Sequence, residues 1–344
     1  MRIVTVGASA GGVESLSALV ASLPADLDAA FFVVLHIPPN FVSSLPGILS
    51  RAGPLPAFHP RDGDDIRRGQ IYVAPPDHHL LIEGNRVLVT RGPKENRNRP
   101  SIDALFRSAA YSHGPNVIGI VLSGALDDGT SGLWSIKRMG GIAIAQDPSE
   151  ASFDSMPASA LSQVEIDHCV SAREMGPLLA RLTRGKEPEA TMDLTRDKSR
   201  IGVEVSVAID GDAFKKGIMK AGILTPFTCP ECHGVLVKLT EGKLSRFRCH
   251  TGHAYSSSAL LSGIMEKIDE SYWEAMRSLE EAAMLLEQAG KSFSEAGENE
   301  TASLFRSHAQ LATEQSRLLR NTILGSRRFS GDSLIDEAER KAGQ

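Results

Sequence analysis

A mostly parallel, doubly wound α/β sheet with helices on both faces is predicted for the first half of this 344-residue chain, followed by a small zinc-ribbon-like Cys/His module and a helical hairpin. Two observations carry the first half. Short apolar runs alternate with helix-forming stretches, and the runs are continuous, as in strands buried on both faces. A third observation carries the second half: three of the four cysteines fall within residues 229–249.

Ile3-Val4-Thr5-Val6 predicts a strand over 2–6, and the stretch after the glycine turn a helix over 12–22. Phe31-Phe32-Val33-Val34-Leu35 predicts a buried strand over 31–36, ended by Pro38-Pro39 because proline cannot continue a ladder; a helix is expected near 41–51. The closely spaced strands 70–74, 80–82 and 86–90 suggest a hairpin-type insertion turned at Glu83-Gly84-Asn85. His78 and His79 are expected at its surface. A helix over 101–112, a strand over 117–122 and a helix over 130–139 follow. Strands at 142–145 and 166–170 and helices at 156–162 and 172–183 complete the alternation. Cys169, in the last strand, is expected to be a small buried hydrophobe, and His59, His113 and His168 to be structural.

Ser9 lies in Gly7-Ala8-Ser9-Ala10-Gly11-Gly12, straight after the first strand. The pattern G-x-S-x-G presents a serine on a sharp strand-to-helix turn, where unpaired N–H groups of the first helical turn face a developing oxyanion. A phosphate-binding or merely connecting glycine turn is the alternative. The dinucleotide fingerprint fails, because Ser9 takes the place of its middle glycine, and the Gly-Lys-Ser/Thr of a P-loop is missing. His36 ends the second strand, and Asp127-Asp128-Gly129 lies just beyond the strand Val117-Ile118-Gly119-Ile120-Val121-Leu122. In an open parallel sheet the carboxyl ends of strands line the functional crevice, so serine, imidazole and carboxylate can converge there.

These residues resemble the catalytic domain of CheB-type chemotaxis protein-glutamate methylesterases. The resemblance covers residues 1–184 and rests on Gly7-Ala8-Ser9-Ala10-Gly11-Gly12, Leu35-His36-Ile37-Pro38, Ile71-Tyr72-Val73-Ala74-Pro75-Pro76-Asp77-His78-His79, Arg99-Pro100-Ser101-Ile102-Asp103, Leu122-Ser123-Gly124 with Asp128-Gly129, and Ser155-Met156-Pro157. It implies Ser9 as nucleophile, His36 as base and Asp128 as the residue that orients it, with Ala10, Gly11 and Gly12 beside the substrate. It implies no cofactor for catalysis, and a methylated chemoreceptor or related signalling protein as substrate. The chain departs from the family's pattern at Ala10, usually threonine, and at Leu126, usually glycine or another small residue. The family's receiver domain would precede the esterase, whereas the first strand here begins at Arg2; control is expected from the C-terminal half or from a separate receiver or regulatory protein.

The net charge of −5 is spread over both halves, which argues against bulk nucleic-acid binding. No apolar run is long enough to cross a bilayer and no secretory leader opens the chain, so a cytoplasmic protein without membrane insertion is expected. Arg86, Arg91, Lys94, Arg97 and Arg99 cluster. They read either as a solvated loop or as a docking loop for an acidic partner, with Arg97 and Arg99 as substrate-binding candidates.

Residues 185–224 read as a linker with short connecting elements, and 225–258 as the Cys/His module. Cys229-Pro230-Glu231-Cys232 and Cys249-His250-Thr251-Gly252-His253 have the spacing of a zinc knuckle or ribbon. Cys229, Cys232 and Cys249, with His253 or His250, would hold a structural zinc, and Val235 to Leu239 would pair with Ser245 to Phe247 around Glu241-Gly242. A thiol cluster or a site that has lost its metal is the alternative. In residues 259–324, Ile264, Ile268, Tyr272, Met276, Leu279, Ala283 and Leu286, then Leu304, Leu311 and Leu318, predict an antiparallel helical hairpin; residues 325–344 are a polar tail. The expected function is a serine hydrolase that demethylates glutamate methyl esters and deamidates glutamine. The competing reading is a catalytically weakened adaptor whose zinc and helical half binds signalling partners. The zinc is expected to serve folding alone, with the esterase and the C-terminal half independent of each other.

Overall fold

The structure is a computed structural model that describes residues 1–184 and 195–325. The chain divides into two compact units, one up to Leu260 and one from Leu261.

The first unit is built on nine strands of the esterase-like half: β1 (Arg2–Ala8), β2 (Ala29–Leu35), β3 (Ala57–Phe58), β4 (Ile71–Val73), β5 (His79–Glu83), β6 (Arg86–Thr90), β7 (Val117–Val121), β8 (Ile142–Gln146) and β9 (His168–Val170). Seven of them form one sheet in the order β3-β4-β2-β1-β7-β8-β9, parallel throughout. The remaining two pair as a hairpin, with Glu83 opposite Arg86; the segment 70–74, expected in the same insertion, instead supplies β4, which pairs parallel with β2 and β3 in the main sheet. Helices α1 (Gly12–Ala21), α2 (Leu45–Ala52), α3 (Ile102–His113), α4 (Thr130–Arg138), α5 (Ser155–Gln163) and α6 (Met175–Thr183) connect the strands. Alternate strand residues feed two cores. Ile3, Phe32 and Val34 pack with α3, α4 and α5, whereas Val4, Val6, Phe31 and Val33 pack with α1, α2 and α6. The chain turns from β2 to β7 on opposite sides of β1, which opens a crevice at the carboxyl end of β1.

Several local expectations fail for identifiable reasons. His79 is fully buried, its Nε2 2.9 Å from the Pro93 carbonyl, because the hairpin folds back under α3. Cys169 is exposed, since β9 is the last strand of the sheet and lacks a neighbour on one side. Within the stretch read as linker, residues 185–194 lie outside the described residues, but Thr195–Asp210 forms helix α7. Its Ile201 and Val205 join the α3 core, and Thr90 Oγ1 donates to the Ala208 carbonyl at 3.0 Å. A short helix α8 (Ile218–Ala221) follows.

The Cys/His region is an antiparallel sheet of β10 (Ile223–Thr228), β11 (Val235–Glu241), β12 (Leu244–Cys249) and β13 (Ala254–Ser256), in that order. Glu241 opposes Leu244, so β11 and β12 turn where the sequence indicated. This module belongs to the same compact unit as the parallel sheet. Arg246 and Arg248 of β12 reach into the esterase half. Arg248 Nη2 lies 2.5 Å from Glu95 and 3.1 Å from Glu204, Arg246 Nη1 lies 2.6 Å from Glu204 and 3.0 Å from Glu241, and Arg107 of α3 lies 2.9 Å from Glu95. All six side chains are buried.

In the second unit, α9 (Ser257–Glu295) and α10 (Asn299–Gly325) pair through Phe293 and Phe305, whose rings lie 5.1 Å apart, and through Arg320 and Glu280 at 2.7 Å. The heptad Leu304, Leu311 and Leu318 does not form the seam: these residues are 56%, 51% and 65% exposed, while Ala302, Ala309, Ala312 and Ser316 are buried. Small residues let the two helices approach closely, which turns the leucine stripe outward. No described helix is long and apolar enough to cross a membrane.

Burial raises the Glu204 carboxyl, but Arg246, Arg107 and Arg248 more than offset it and hold its pKa at about 2. A carboxyl depressed on folding stabilises the fold above its unfolded value near 4.5, and that contribution is lost as pH falls toward 2. Urea unfolding of the first unit is therefore expected to weaken between about pH 5 and pH 2. Glu204→Gln, which removes one of three buried carboxylates facing three buried guanidinium groups, should lose about 3–5 kcal/mol at neutral pH and flatten that acid dependence.

Candidate active site and metal centre

Three neighbouring strands, β2, β1 and β7, deliver the three predicted catalytic side chains to one point. Ser9 follows β1, His36 follows β2 and Asp128 follows β7. Ser9 N–H donates to the Ser123 carbonyl at 2.9 Å, which ties the β1 and β7 ends together. Gly11, at φ 67°, reverses the chain into α1, a conformation that side-chain-bearing residues resist. A Cβ on Gly124 would fall 2.8 Å from Ser9 Cβ and 2.1 Å from Met156 Sδ; only glycine leaves the serine its space.

His36 Nδ1 lies 3.2 Å from Ser9 Oγ, and His36 Nε2 lies 2.8 Å from Asp128 Oδ2. The imidazole thus presents Nδ1 to the serine and Nε2 to the carboxylate. Asp128 is almost fully buried and sits at the start of α3, where it also accepts hydrogen bonds from Ile102 N–H at 2.8 Å, Asp103 N–H at 3.2 Å, Ser101 Oγ at 3.1 Å and Asn96 Nδ2 at 2.8 Å. Burial pushes its carboxyl up, but the bonds from His36, Asn96 and Ile102 prevail and hold it below the usual range. Asp103 plays the converse part. It accepts from Gly129 N–H at 3.0 Å and Gly132 N–H at 2.6 Å at the start of α4, and burial followed by the charge of Asp128 pushes its pKa to about 8. The two carboxyls are therefore shifted in opposite directions, Asp103 up and Asp128 down. Asp127 points elsewhere, taking hydrogen bonds from Ser256 and Ser258 at 2.6 Å each.

Ala10 and Gly11 follow Ser9 directly at the entry to α1, where the N–H groups of a helix start can serve as oxyanion donors. Gly12 N–H instead bonds the Ser9 carbonyl at 2.9 Å. A cleft of ≈ 300 Å³ opens at His36, lined also by Pro38, Asp77, Lys94, Arg97 and Arg99. Within the basic cluster, Arg99 is engaged by Asp77 at 2.6 Å and by the Gly92 carbonyl at 2.9 Å, Arg91 pairs with Asp77, and Lys94 lies 3.7 Å from Glu231. Arg86 opens β6 away from the cleft. Leu126 adopts a left-handed φ of 64°, unusual for a bulky residue.

Cys229, Cys232, Cys249 and His253 converge, their ligand atoms within 4.8 Å of one another. Cys229 Sγ lies 3.7 Å and Cys249 Sγ 3.6 Å from His253 Nδ1, and Cys232 Sγ lies 3.6 Å from Cys249 Sγ. A tetrahedron with Zn–S near 2.3 Å and Zn–N near 2.05 Å has edges of about 3.8 Å between sulfurs and about 3.6 Å between sulfur and nitrogen, so the cluster could hold one four-coordinate metal ion. Glu231 lies 3.5 Å from His253 Nε2, which leaves Nδ1 for the metal, and Tyr255 OH lies 3.1 Å from Cys229 Sγ. His250 is exposed and packs on Gly234, outside this set.

Sequence reasoning missed Asn96, Ser101, Asp103 and Glu95. Ser101 and Asp103 lay within a motif that carried the resemblance, without an assigned role; Asn96 and Glu95 gave only the signal of two polar residues in a basic loop.

Residues 4–179 match the CheB methylesterase family. The chain is 35% identical to protein-glutamate methylesterase/protein-glutamine glutaminase 2 of Methanosarcina mazei over 53% of this chain and 52% of that protein, so it spans about half that relative's length. It is 34% identical to the putative protein-glutamate methylesterase/protein-glutamine glutaminase of Leptospira interrogans over 52% of this chain and 93% of that protein. The solved catalytic domain of Thermotoga maritima CheB methylesterase aligns with a TM-score of 0.51 at 31% identity, over 53% of this chain and 98% of that one. The matched stretch holds Ser9, His36 and Asp128 and ends before the Cys/His module. By this match over half its length, the chain belongs to the CheB methylesterase family.

Proposed function

We propose that this protein is a serine esterase that hydrolyses the γ-methyl ester of glutamate side chains on chemoreceptor-like proteins. The continuous hydrogen-bonded line Ser9–His36–Asp128 carries the reading, and the relatives' names supply the ester. Ser9 Oγ attacks the ester carbonyl while His36 Nδ1 takes its proton, and Nε2–H donates to Asp128, which orients the ring and steadies the imidazolium. The carbonyl oxygen gathers negative charge opposite the Ala10 and Gly11 N–H groups. These are backbone donors, so a side chain at position 10 is not required. Collapse expels methanol, protonated by Nδ1–H. Water then loses a proton to Nδ1, attacks the acyl-enzyme and releases the glutamate carboxylate and Ser9. A glutamine amide follows the same path with ammonia as leaving group. Lys94, Arg97 and Arg99 put positive charge at the rim of the cleft, which suits an acidic receptor surface, and Asp77 ties Arg91 and Arg99 to the loop.

The Cys229, Cys232, Cys249 and His253 set is proposed to bind one structural zinc. Three sulfurs and an imidazole suit zinc, and four protein ligands leave no open position for chemistry. The unpaired cysteines support a reducing, cytoplasmic setting.

In steady-state hydrolysis of a methylated receptor or a small ester, Ser9→Ala, His36→Ala and Asp128→Asn are each expected to lower kcat by about 10⁴-fold. Asp127→Asn, which faces Ser256 and Ser258, should cost far less; equal losses at the two aspartates would place the orienting carboxylate wrongly.

Elemental analysis of protein purified without added metal should find close to one zinc per chain, and Cys232→Ser should remove it. Metal-free wild-type protein would reject the zinc assignment.

A further inference from the structure

We propose that the Cys/His module is a positioning element of the esterase: its last strand fixes Asn96, and Asn96 holds the catalytic carboxylate of Asp128. The inference rests on the serine esterase and zinc readings above and names a dependence of the first on the second.

The link is a single amide side chain used at both ends. Asn96 Oδ1 accepts the Ser256 backbone N–H at 2.8 Å from β13, while Asn96 Nδ2 donates to Asp128 Oδ1 at 2.8 Å and to Asp103 Oδ2 at 2.9 Å. The backbone is bound as well. Asn96 N–H donates to the Ala254 carbonyl at 2.7 Å, and Ala254 N–H to the Lys94 carbonyl at 3.2 Å, so residues 94–96 run beside β13 like an added strand. Asn96 and Arg97 both stand in the left-handed region, at φ 49° and 68°. Two consecutive non-glycine residues there are uncommon, and such a pair persists where surrounding contacts impose it.

Those contacts come chiefly from the module. Beneath the loop Glu95 is clamped by Arg248 and Arg246 of β12 as well as by Arg107. On the other side Ser256 and Ser258 hold Asp127, the neighbour of Asp128 in the chain. The metal set bears on the same strand: Cys249 ends β12 and His253 immediately precedes β13, with Cys249 N–H donating to the His253 carbonyl at 3.0 Å. An ion bound by both residues fixes the turn that aims β13 at Asn96. Asn96 touches no reacting atom; it acts through Asp128, and a shift of about 1 Å in such a group can cost about 10² in rate.

The test uses the full chain, purified with its metal. Labelling of Ser9 by a fluorophosphonate probe and turnover of a small ester are measured in wild type and Asn96→Ala, with metal content and thermal unfolding recorded alongside. In Asn96→Ala the kcat should fall about 10²-fold at unchanged KM, with metal content unchanged. Asp128, one donor short, becomes more basic, and the acid limb of the pH–rate profile should move to higher pH. Stripping the metal with a chelator should slow labelling of wild type at least tenfold, and added zinc should restore it. Asn96→Ala with wild-type kcat and pH profile, or labelling unaffected by complete metal removal, would overturn the positioning role while leaving the esterase intact. A wild-type protein whose Ser9 does not label would instead reject the esterase reading itself, and the inference with it.

Discussion

The buried cluster of Glu95, Glu204, Glu241, Arg107, Arg246 and Arg248 is the constraint on which the first unit depends. Three carboxylates and three guanidinium groups lie almost wholly out of water, so each must find its partners inside the protein or leave an uncompensated charge. Arg107 brings α3, Glu204 brings α7, Glu241 brings β11, the other two arginines bring β12, and Glu95 brings the loop beside the active site. Ser131 of α4 joins through a 2.6 Å hydrogen bond to Glu241. Apolar side chains of similar volume would fill the space equally well, but they would accept many relative placements. Ionic partners at 2.5–3.1 Å accept few. The cluster fixes the alignment of two sheets whose strands are nowhere paired.

The Asp128 carboxylate, which faces His36, depends on a second exchange of charge. Asp128 lies at the start of α3 and Asp103, itself in the first turn of α3, accepts the amides at the start of α4. Each helix therefore receives a carboxyl group on its exposed amides, and Asn96 bridges the two groups. Burial and the neighbouring charge push the Asp103 carboxyl up, whereas the hydrogen bonds from His36, Asn96 and Ile102 hold Asp128 down, so the ionised form is favoured on the side that faces His36.

The parallel sheet was legible because its strands are continuous apolar runs, and the side chains beyond β1, β2 and β7 were legible because strand ends in such a sheet face one crevice. The candidate metal-binding cluster was legible from cysteine spacing, although spacing left His250 and His253 open until the structure put His253 Nδ1 3.7 and 3.6 Å from the Cys229 and Cys249 sulfurs. What escaped was non-local. The polar residues up to about Ser199 made 185–224 read as a linker, and the stripe Ile201, Val205 and Ala208 is buried only because α3 and the hairpin lie against it. Asn96 and Glu95 look like ordinary loop residues until partners from distant positions meet them. The leucine heptad of α10 misled because periodicity reports a shared face without reporting which face is covered, and here the small residues took the seam.

Glu95 and Asn96 find their partners at Arg246, Arg248 and Ser256, some 150 residues farther along the chain. At a synthesis rate of roughly 5–20 residues per second, on the order of ten to thirty seconds separate the emergence of this loop from that of the strands that seat it. During that interval the β1, β2 and β7 ends can assemble while the left-handed loop has nothing to impose its shape. The nascent esterase half is thus complete in sequence before it is complete in structure, and a growing chain carries an unfinished site until the module has left the ribosome.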